Sequence, residues 1–325
     1  MRTIVSPTFA IEWRDVDDFL GEFGPYNGRY VPRFPKDWLE QLRHHLDELD
    51  VNHLPPKERA ALFERLRREL LHCTSPANWA WDPDKSWSEN LLSASGLAAD
   101  DLIAGDALDP TPFSTWSQIA SDVKRTRNRT LNFNGLVSSY VDLCKPLLLN
   151  APSAFLIDPY LDPFSGAHRE LLLSFLANLS GSKCYSIELI TYQSACGNGN
   201  RPREEPPVWM TEDEIQLELK ETYRSYLPKD RQLRVHLVQT GRKHEGGLAL
   251  HDRFFLTNHG AINFGHGFKI SNQTKTMQNA FIVDKQHHET LKEVYINGVA
   301  RFLERLPKRA SITYPKSVST ISLMG

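Results

Sequence analysis

The sequence lacks most of the features that would take it out of the ordinary globular class. Its four cysteines, Cys73, Cys144, Cys184 and Cys196, include no pair at CxxC spacing. That argues against a zinc knuckle and against a redox dithiol. No run approaches the roughly 18 consecutive apolar residues that a membrane span requires. Met1 to Trp13 carries charges and no apolar stretch of the kind found in secretory signals, so a cytoplasmic chain with reduced thiols is expected. Charge of one sign is also missing. A net charge of −2 supplies no global pull toward nucleic acid or an anionic membrane, so any such binding must come from local patches. Internal repeats and low-complexity tracts are absent.

What remains is a chain of 325 residues, 40% hydrophobic and 24% charged. That is enough for one large domain or two ordinary ones, with a core that needs no staples. Residues 1–130 read as a mainly helical domain. Trp38, Leu39, Leu42, Leu46 and Leu49 recur at helical spacing within 35–49. Pro55-Pro56 opens a second helix, where proline is tolerated in the first turn. Its apolar stripe is Leu62, Leu66 and Leu70, and the two helices are expected to pair. Trp79, Trp81 and Trp87 follow in an irregular stretch. They fit anchors that tie a loop to the core better than a base-stacking platform. Lys124, Arg125, Arg127 and Arg129 form a short cationic run, read as a solvated face rather than a phosphate contact.

Beyond about residue 130 the texture alternates between strand and helix, which predicts an α/β fold over 131–310 with helices on the faces of a mixed sheet. Ala154–Ile157, Tyr185–Thr191, Arg234–Gln239, Leu248–Leu256, Ala261–Phe264 and Asn279–Val283 are the expected strands. Leu171–Leu179, Thr211–Tyr226 and Glu289–Leu306 are the expected helices. Thr211 and Glu214 have capping-box spacing. Thr257-Asn258-His259-Gly260 reads as a hairpin turn, and residues 311–325 as a tail.

The chemistry concentrates in His251-x-Arg253-x4-Asn258-x6-Gly265. This has the spacing of the His-x-Lys-x4-Asp-x6-Gly motif of the phospholipase D superfamily, with Arg for Lys and Asn for Asp. The chain resembles that superfamily at His251, Arg253, Asn258 and Gly265. The resemblance implies a motif histidine that attacks phosphorus, a cation that neutralises the phosphoryl oxygens, and a second histidine that protonates the leaving oxygen. Arg253 retains a two-pronged phosphate clamp. Asn258 cannot stabilise an imidazolium as a carboxylate does, although it can accept a hydrogen bond. Asp158, at a strand end where ligand sites of α/β sheets gather, is the candidate replacement; a plain strand-ending Asp-Pro turn accounts for it equally well. Gly265-His266-Gly267 can bring backbone amides to a phosphate, or simply make a tight turn.

Only one copy of the motif is present. The second histidine would come from His251 of another subunit across a twofold axis, or from His244, His259 or His266. Ile157-Asp158-Pro159-Tyr160-Leu161, followed by Leu250-His251-Asp252-Arg253 and Gly265-His266-Gly267-Phe268, resembles the phospholipase D-like C-terminal domain of eukaryotic MIT-domain proteins over about residues 150–305. That resemblance implies a homodimer that binds acidic phospholipid without catalysis. His287-His288 reads as a solvated helix start.

Two functional expectations follow. One, implied by the superfamily resemblance, is a phosphodiesterase acting as a nuclease of a prokaryotic defence system. It would use His251, Arg253, Asn258 and Asp158 for catalysis and Arg253, Gly265, His266 and Gly267 for phosphate, with no cofactor or metal. The other is a non-catalytic module that binds phosphate, phospholipid or a partner. A partner protein on the N-terminal helices and nucleic acid are the other expected contacts, ahead of a membrane.

Overall fold

The computed structural model describes residues 3–10, 13–27, 31–48, 55–76, 80–93, 101–103, 130–180, 182–196, 210–239, 253–271, 277–297 and 317–325. The chain divides into two compact units, Met1–Arg129 and Thr130–Gly325.

The first unit is built on a cluster of buried apolar side chains. Helix α1 (Trp13–Glu22) is not among the expected elements, although Val16, Phe19, Leu20 and Phe23 recur at helical spacing and are all buried. Helices α2 (Trp38–Glu48) and α3 (Pro56–Cys73) lie where the apolar spacing put them. The pairing differs from the expectation. α3 packs most closely on α1, with Arg65 paired to Asp17. α2 meets α3 more loosely, through Arg43 over the Phe63 ring at 5.1 Å. Phe9, Phe19, Trp38, Leu42, Leu46 and Leu66 close the core between them.

Two short parallel sheets qualify the helical description of this unit. β1 (Thr3–Val5) pairs with β4 (Asp101–Ile103), and β2 (Val31–Arg33) with β3 (Thr74–Pro76). Trp87 opens helix α4 (Trp87–Ser93), is buried, and donates its indole N–H to the Phe34 carbonyl at 3.0 Å. Trp81 meets the Phe34 ring edge-on with centroids 5.2 Å apart. These two tryptophans anchor a loop; Trp79 and the cationic run at 124–129 lie outside the described residues.

Among the described residues the second unit forms an eight-stranded mixed sheet with helices. Its chain order is β5 (Thr130–Asn134), α5 (Val137–Asn150), β6 (Ser153–Ile157), α6 (Gly166–Ala177), β7 (Ser186–Tyr192), α7 (Glu212–Tyr223), β8 (Gln232–Gln239), β9 (Phe254–Thr257), β10 (Ala261–Asn263), β11 (Met277–Ile282), α8 (Lys285–Leu291) and β12 (Ser317–Met324). The spatial order is β12-β8-β7-β6-β9-β10-β11-β5. β6, β7 and β8 are parallel, and every other pairing is antiparallel.

Sequence logic explains most of this. All seven residues of β7 are buried, as a strand covered on both faces requires. The Thr211–Glu214 capping box forms in full at the start of α7. The turn after β9 closes with the Thr257 N–H donating to the Gly260 carbonyl at 2.9 Å.

Three expectations are corrected. Ser317–Met324 is not a tail but an edge strand, in register with all of β8. Its inward residues Ile321 and Leu323 are buried, so the alternation of Ile, Ser and Leu is a strand signal. Of the expected strand Leu248–Leu256, β9 holds Phe254–Leu256, Arg253 is outside it, and Leu248–Asp252 lie outside the described residues. His288 is not solvated: it is fully buried and donates from Nε2 to the Thr257 carbonyl at 2.8 Å.

Candidate functional site

The register of β6 against β9 determines what meets what. Ile157 pairs with Phe254, so the residue after β6 and the residue before β9 lie at the same end of the sheet. Those residues are Asp158 and Arg253. The end is the carboxyl end of β6 and β7, the edge at which α/β sheets usually carry ligand sites. Asn263 also pairs with Phe254, which brings the loop after β10 to the same place, and the Phe264 N–H donates to the Arg253 carbonyl at 2.9 Å.

That loop is pinned from below. Phe264 and Phe268 are both buried, with centroids 4.8 Å apart, and both pack on the Tyr140 ring from α5. Between these anchors the backbone turns sharply, with φ +36° at Gly265 and +85° at Gly267. Gly267 has a second reason to be glycine. A Cβ there would lie 2.5 Å from Asp158 Oδ2 and 3.0 Å from Arg253 Cδ. The glycine backbone is the wedge that lets acid and base stand on either side of it.

Asp158 is buried and spends one oxygen on each of two backbone amides. Oδ1 accepts from Tyr160 N at 2.9 Å, and Oδ2 accepts from Phe268 N at 3.1 Å. Burial pushes its carboxyl above the ordinary range. The two amides, Arg253 and His168 all pull the other way. Each oxygen keeps a second lone pair for another donor.

Arg253 is partly exposed. One of its Nη1 hydrogens goes to the Gly265 carbonyl at 2.8 Å, and the guanidinium carbon lies 5.6 Å from the Tyr160 ring centre. Among the described residues no carboxylate forms an ion pair with it. The remaining donors of its fork are therefore open to an external anion.

Two residues that the sequence reading passed over complete the frame. His168, in α6, accepts from the Asp162 N–H at Nδ1 (3.2 Å), which leaves Nε2 to donate to the Phe268 carbonyl at 3.2 Å. Tyr140 donates its hydroxyl to the Gly267 carbonyl at 3.4 Å, and burial pushes that phenol up to about 12. Neither has a local signal. Each reaches the loop from a helix whose partner lies about a hundred residues away in sequence, and only the fold joins them.

The expected site residues are thus partly brought together. Arg253, Asp158, Gly265, His266 and Gly267 share one end of the sheet, and His266 is exposed there. His251 and Asp252 lie outside the described residues, as does His244. Asn258 does not join the group. It sits in the turn at the far end of β9, separated from Arg253 by a four-residue strand roughly 13 Å long at about 3.3 Å per residue. Its Oδ1 is buried with no hydrogen-bond partner among the described residues. His259 donates from Nε2 to the Asn150 carbonyl at 3.2 Å. The amides of Gly265 and Gly267 are also committed, to Asn263 Oδ1 at 2.7 Å and to the Phe264 carbonyl at 2.7 Å. A phosphate at this loop would meet Arg253 and His266 rather than those two N–H groups.

A second polar cluster crosses β7, β8 and β12. Glu188 Oε2 and His236 Nε2 are 2.9 Å apart, and His236 Nδ1 is 2.9 Å from Thr320 Oγ1. Arg234 Nη1 donates to Glu188 Oε1 at 3.2 Å. Glu188 and His236 are both buried. The described cysteine thiols Cys144, Cys184 and Cys196 are buried and free, and burial raises all three, so none is a ready nucleophile. No group of three or more His, Cys, Asp or Glu suited to a metal occurs among the described residues. No described helix is long and apolar enough to cross a membrane.

Comparison with known proteins adds no relative: no family model matches the chain, and no curated protein matches it.

Proposed function

We propose that the second unit is a phospholipase D-like, phosphodiester-directed protein whose phosphate clamp is Arg253. The observation that carries this reading is the open guanidinium of Arg253, held beside buried Asp158 by the Gly267 wedge at the carboxyl end of β6. His251 precedes Arg253 by two residues and carries the nucleophile of the motif. In the catalytic form its imidazole attacks phosphorus as the bond to the leaving oxygen breaks. That oxygen takes its proton from a second histidine, supplied by another subunit's His251 or by exposed His266. Water then hydrolyses the phosphohistidine, and the proton it loses restores the acid.

A second reading has its own support. Both oxygens of Asp158 already accept from backbone amides, Oδ2 from the loop after β10, and Asn258 lies at the other end of β9. A site so arranged holds a phosphate group without needing to cleave it.

One experiment separates the two. The protein and its His251→Ala and Arg253→Gln variants are incubated with single-stranded DNA, duplex DNA, RNA and phospholipid, each with and without EDTA. The nuclease reading expects EDTA-resistant cleavage that is lost in both variants. Binding that Arg253→Gln abolishes and His251→Ala spares, with no cleavage, leaves the binding module. If Arg253→Gln changes neither cleavage nor binding, the site is wrong.

A further inference from the structure

Tyr160 stands at the clamp without being required by the core. It is 52% exposed, while its neighbours Pro159 and Leu161 are buried. Its position is nonetheless held on three sides. The backbone N–H is bonded to Asp158 Oδ1. The ring takes the Arg253 guanidinium at 5.6 Å and meets the buried Tyr192 ring edge-on, with centroids 6.2 Å apart and planes at 79°. A half-exposed aromatic ring fixed in this way loses little freedom when a second flat ring is laid on it.

The chemistry of the possible ligands differs here. A single-stranded nucleic acid offers an unstacked base within reach of every phosphate. Duplex bases are already stacked, and a phospholipid headgroup has no flat aromatic ring. Base stacking on protein aromatics is a general source of affinity for single strands. We infer that Tyr160 is a base-stacking platform beside the Arg253 clamp, which makes single-stranded nucleic acid the ligand class of this site. The inference rests on the proposed role of Arg253 in holding phosphate. It concerns a residue that the motif reading leaves without a task.

The test uses the full chain in a His251→Ala background, so that no ligand is consumed. Anisotropy measures binding of an oligothymidylate of about 12 nucleotides, a length that spans one binding site. The controls are an abasic oligomer with the same number of phosphates and vesicles containing phosphatidic acid. Oligothymidylate should bind more tightly than the abasic chain by roughly 5- to 150-fold, the usual worth of one stacked base. Tyr160→Leu should erase that difference, weakening oligothymidylate more than the abasic chain, and Tyr160→Phe should preserve it. Arg253→Gln should weaken both oligomers.

Equal loss of the two oligomers in Tyr160→Leu, or no loss, overturns the stacking role. Vesicle binding that is stronger than oligothymidylate binding and indifferent to Tyr160 overturns the ligand class while leaving the phosphate clamp intact. Indifference of every ligand to Arg253→Gln removes the parent reading itself.

Discussion

The sheet carries two polar clusters, and they are built to opposite ends. At Glu188 the carboxylate is met by His236 and Arg234, and His236 passes the chain on to Thr320. Both Glu188 oxygens and both His236 nitrogens have partners within the protein, and the group links β7, β8 and β12. At Asp158 the carboxylate is met only by backbone amides, while the nearby Arg253 finds a carbonyl and a ring but no carboxylate among the described residues. The first cluster pairs its carboxylate with the side chains of Arg234 and His236. The second has donors left over on the side that faces solvent. The difference between this ion network and the proposed binding site is that the Arg234 guanidinium is paired with a carboxylate and that of Arg253 is not.

This contrast can be broken by mutation. The largest effect is expected at the first cluster. Glu188→Ala should cost about 3–5 kcal/mol in denaturant unfolding, because it strands His236 and Arg234 beside a buried vacancy, yet binding per folded molecule should not change. Gly267→Ala comes next, at about 2–4 kcal/mol, since both the positive φ and the 2.5 Å approach to Asp158 Oδ2 oppose a side chain. Gly265→Ala is the control: with φ +36° and nothing within 4 Å of its Cβ, it should cost only about 1 kcal/mol. Arg253→Ala should reverse the Glu188 pattern, with a stability change under about 1 kcal/mol and loss of phosphate binding. A large stability loss there would mean that the guanidinium is already spent.

Two smaller effects sharpen the picture. Burial lowers the His288 pKa below its ordinary 6.5, so the folded protein binds fewer protons at that group than the unfolded chain. Its contribution to stability should be complete above pH 6.5 and fall as the pH drops below it. His288→Gln should remove that part of the pH profile. Asp158, whose pKa is raised above 3.8, runs the other way, and its cost grows as the pH rises from there. Smallest of all, Asn258→Asp restores the motif letter but should alter activity by less than about twofold, because the turn shares no partner with the clamp. A large gain in activity would show that the far end of β9 takes part after all.

Much of the second unit is legible in the sequence because its strands are buried runs with clear stops, as in β6 and β7. Helix α5 is not, since Ser138, Ser139 and Pro146 interrupt its pattern, and its helical character rests on packing by Tyr140, Val141, Cys144, Leu147 and Leu148. β12 has the right alternation but is isolated in sequence from the strand it pairs with. At the site, Arg253, Asp158 and the two glycines can be picked from spacing. The frame supplied by His168 and Tyr140 cannot, and neither can the exclusion of Asn258. Spacing along a strand counts residues, whereas membership of the site depends on which end of the strand they occupy.

The Asp158–Phe268 hydrogen bond joins residues 110 apart in sequence and spans the seam between the parallel and antiparallel halves of the sheet. Its formation requires β6 and β9 to be in register and the loop after β10 to be seated. Closure of so long a stretch of chain comes late in folding. A phosphate ligand that needs this loop would therefore read out completion of the fold: intermediates with either half formed alone would be silent to it, and the ligand would stabilise only the finished sheet.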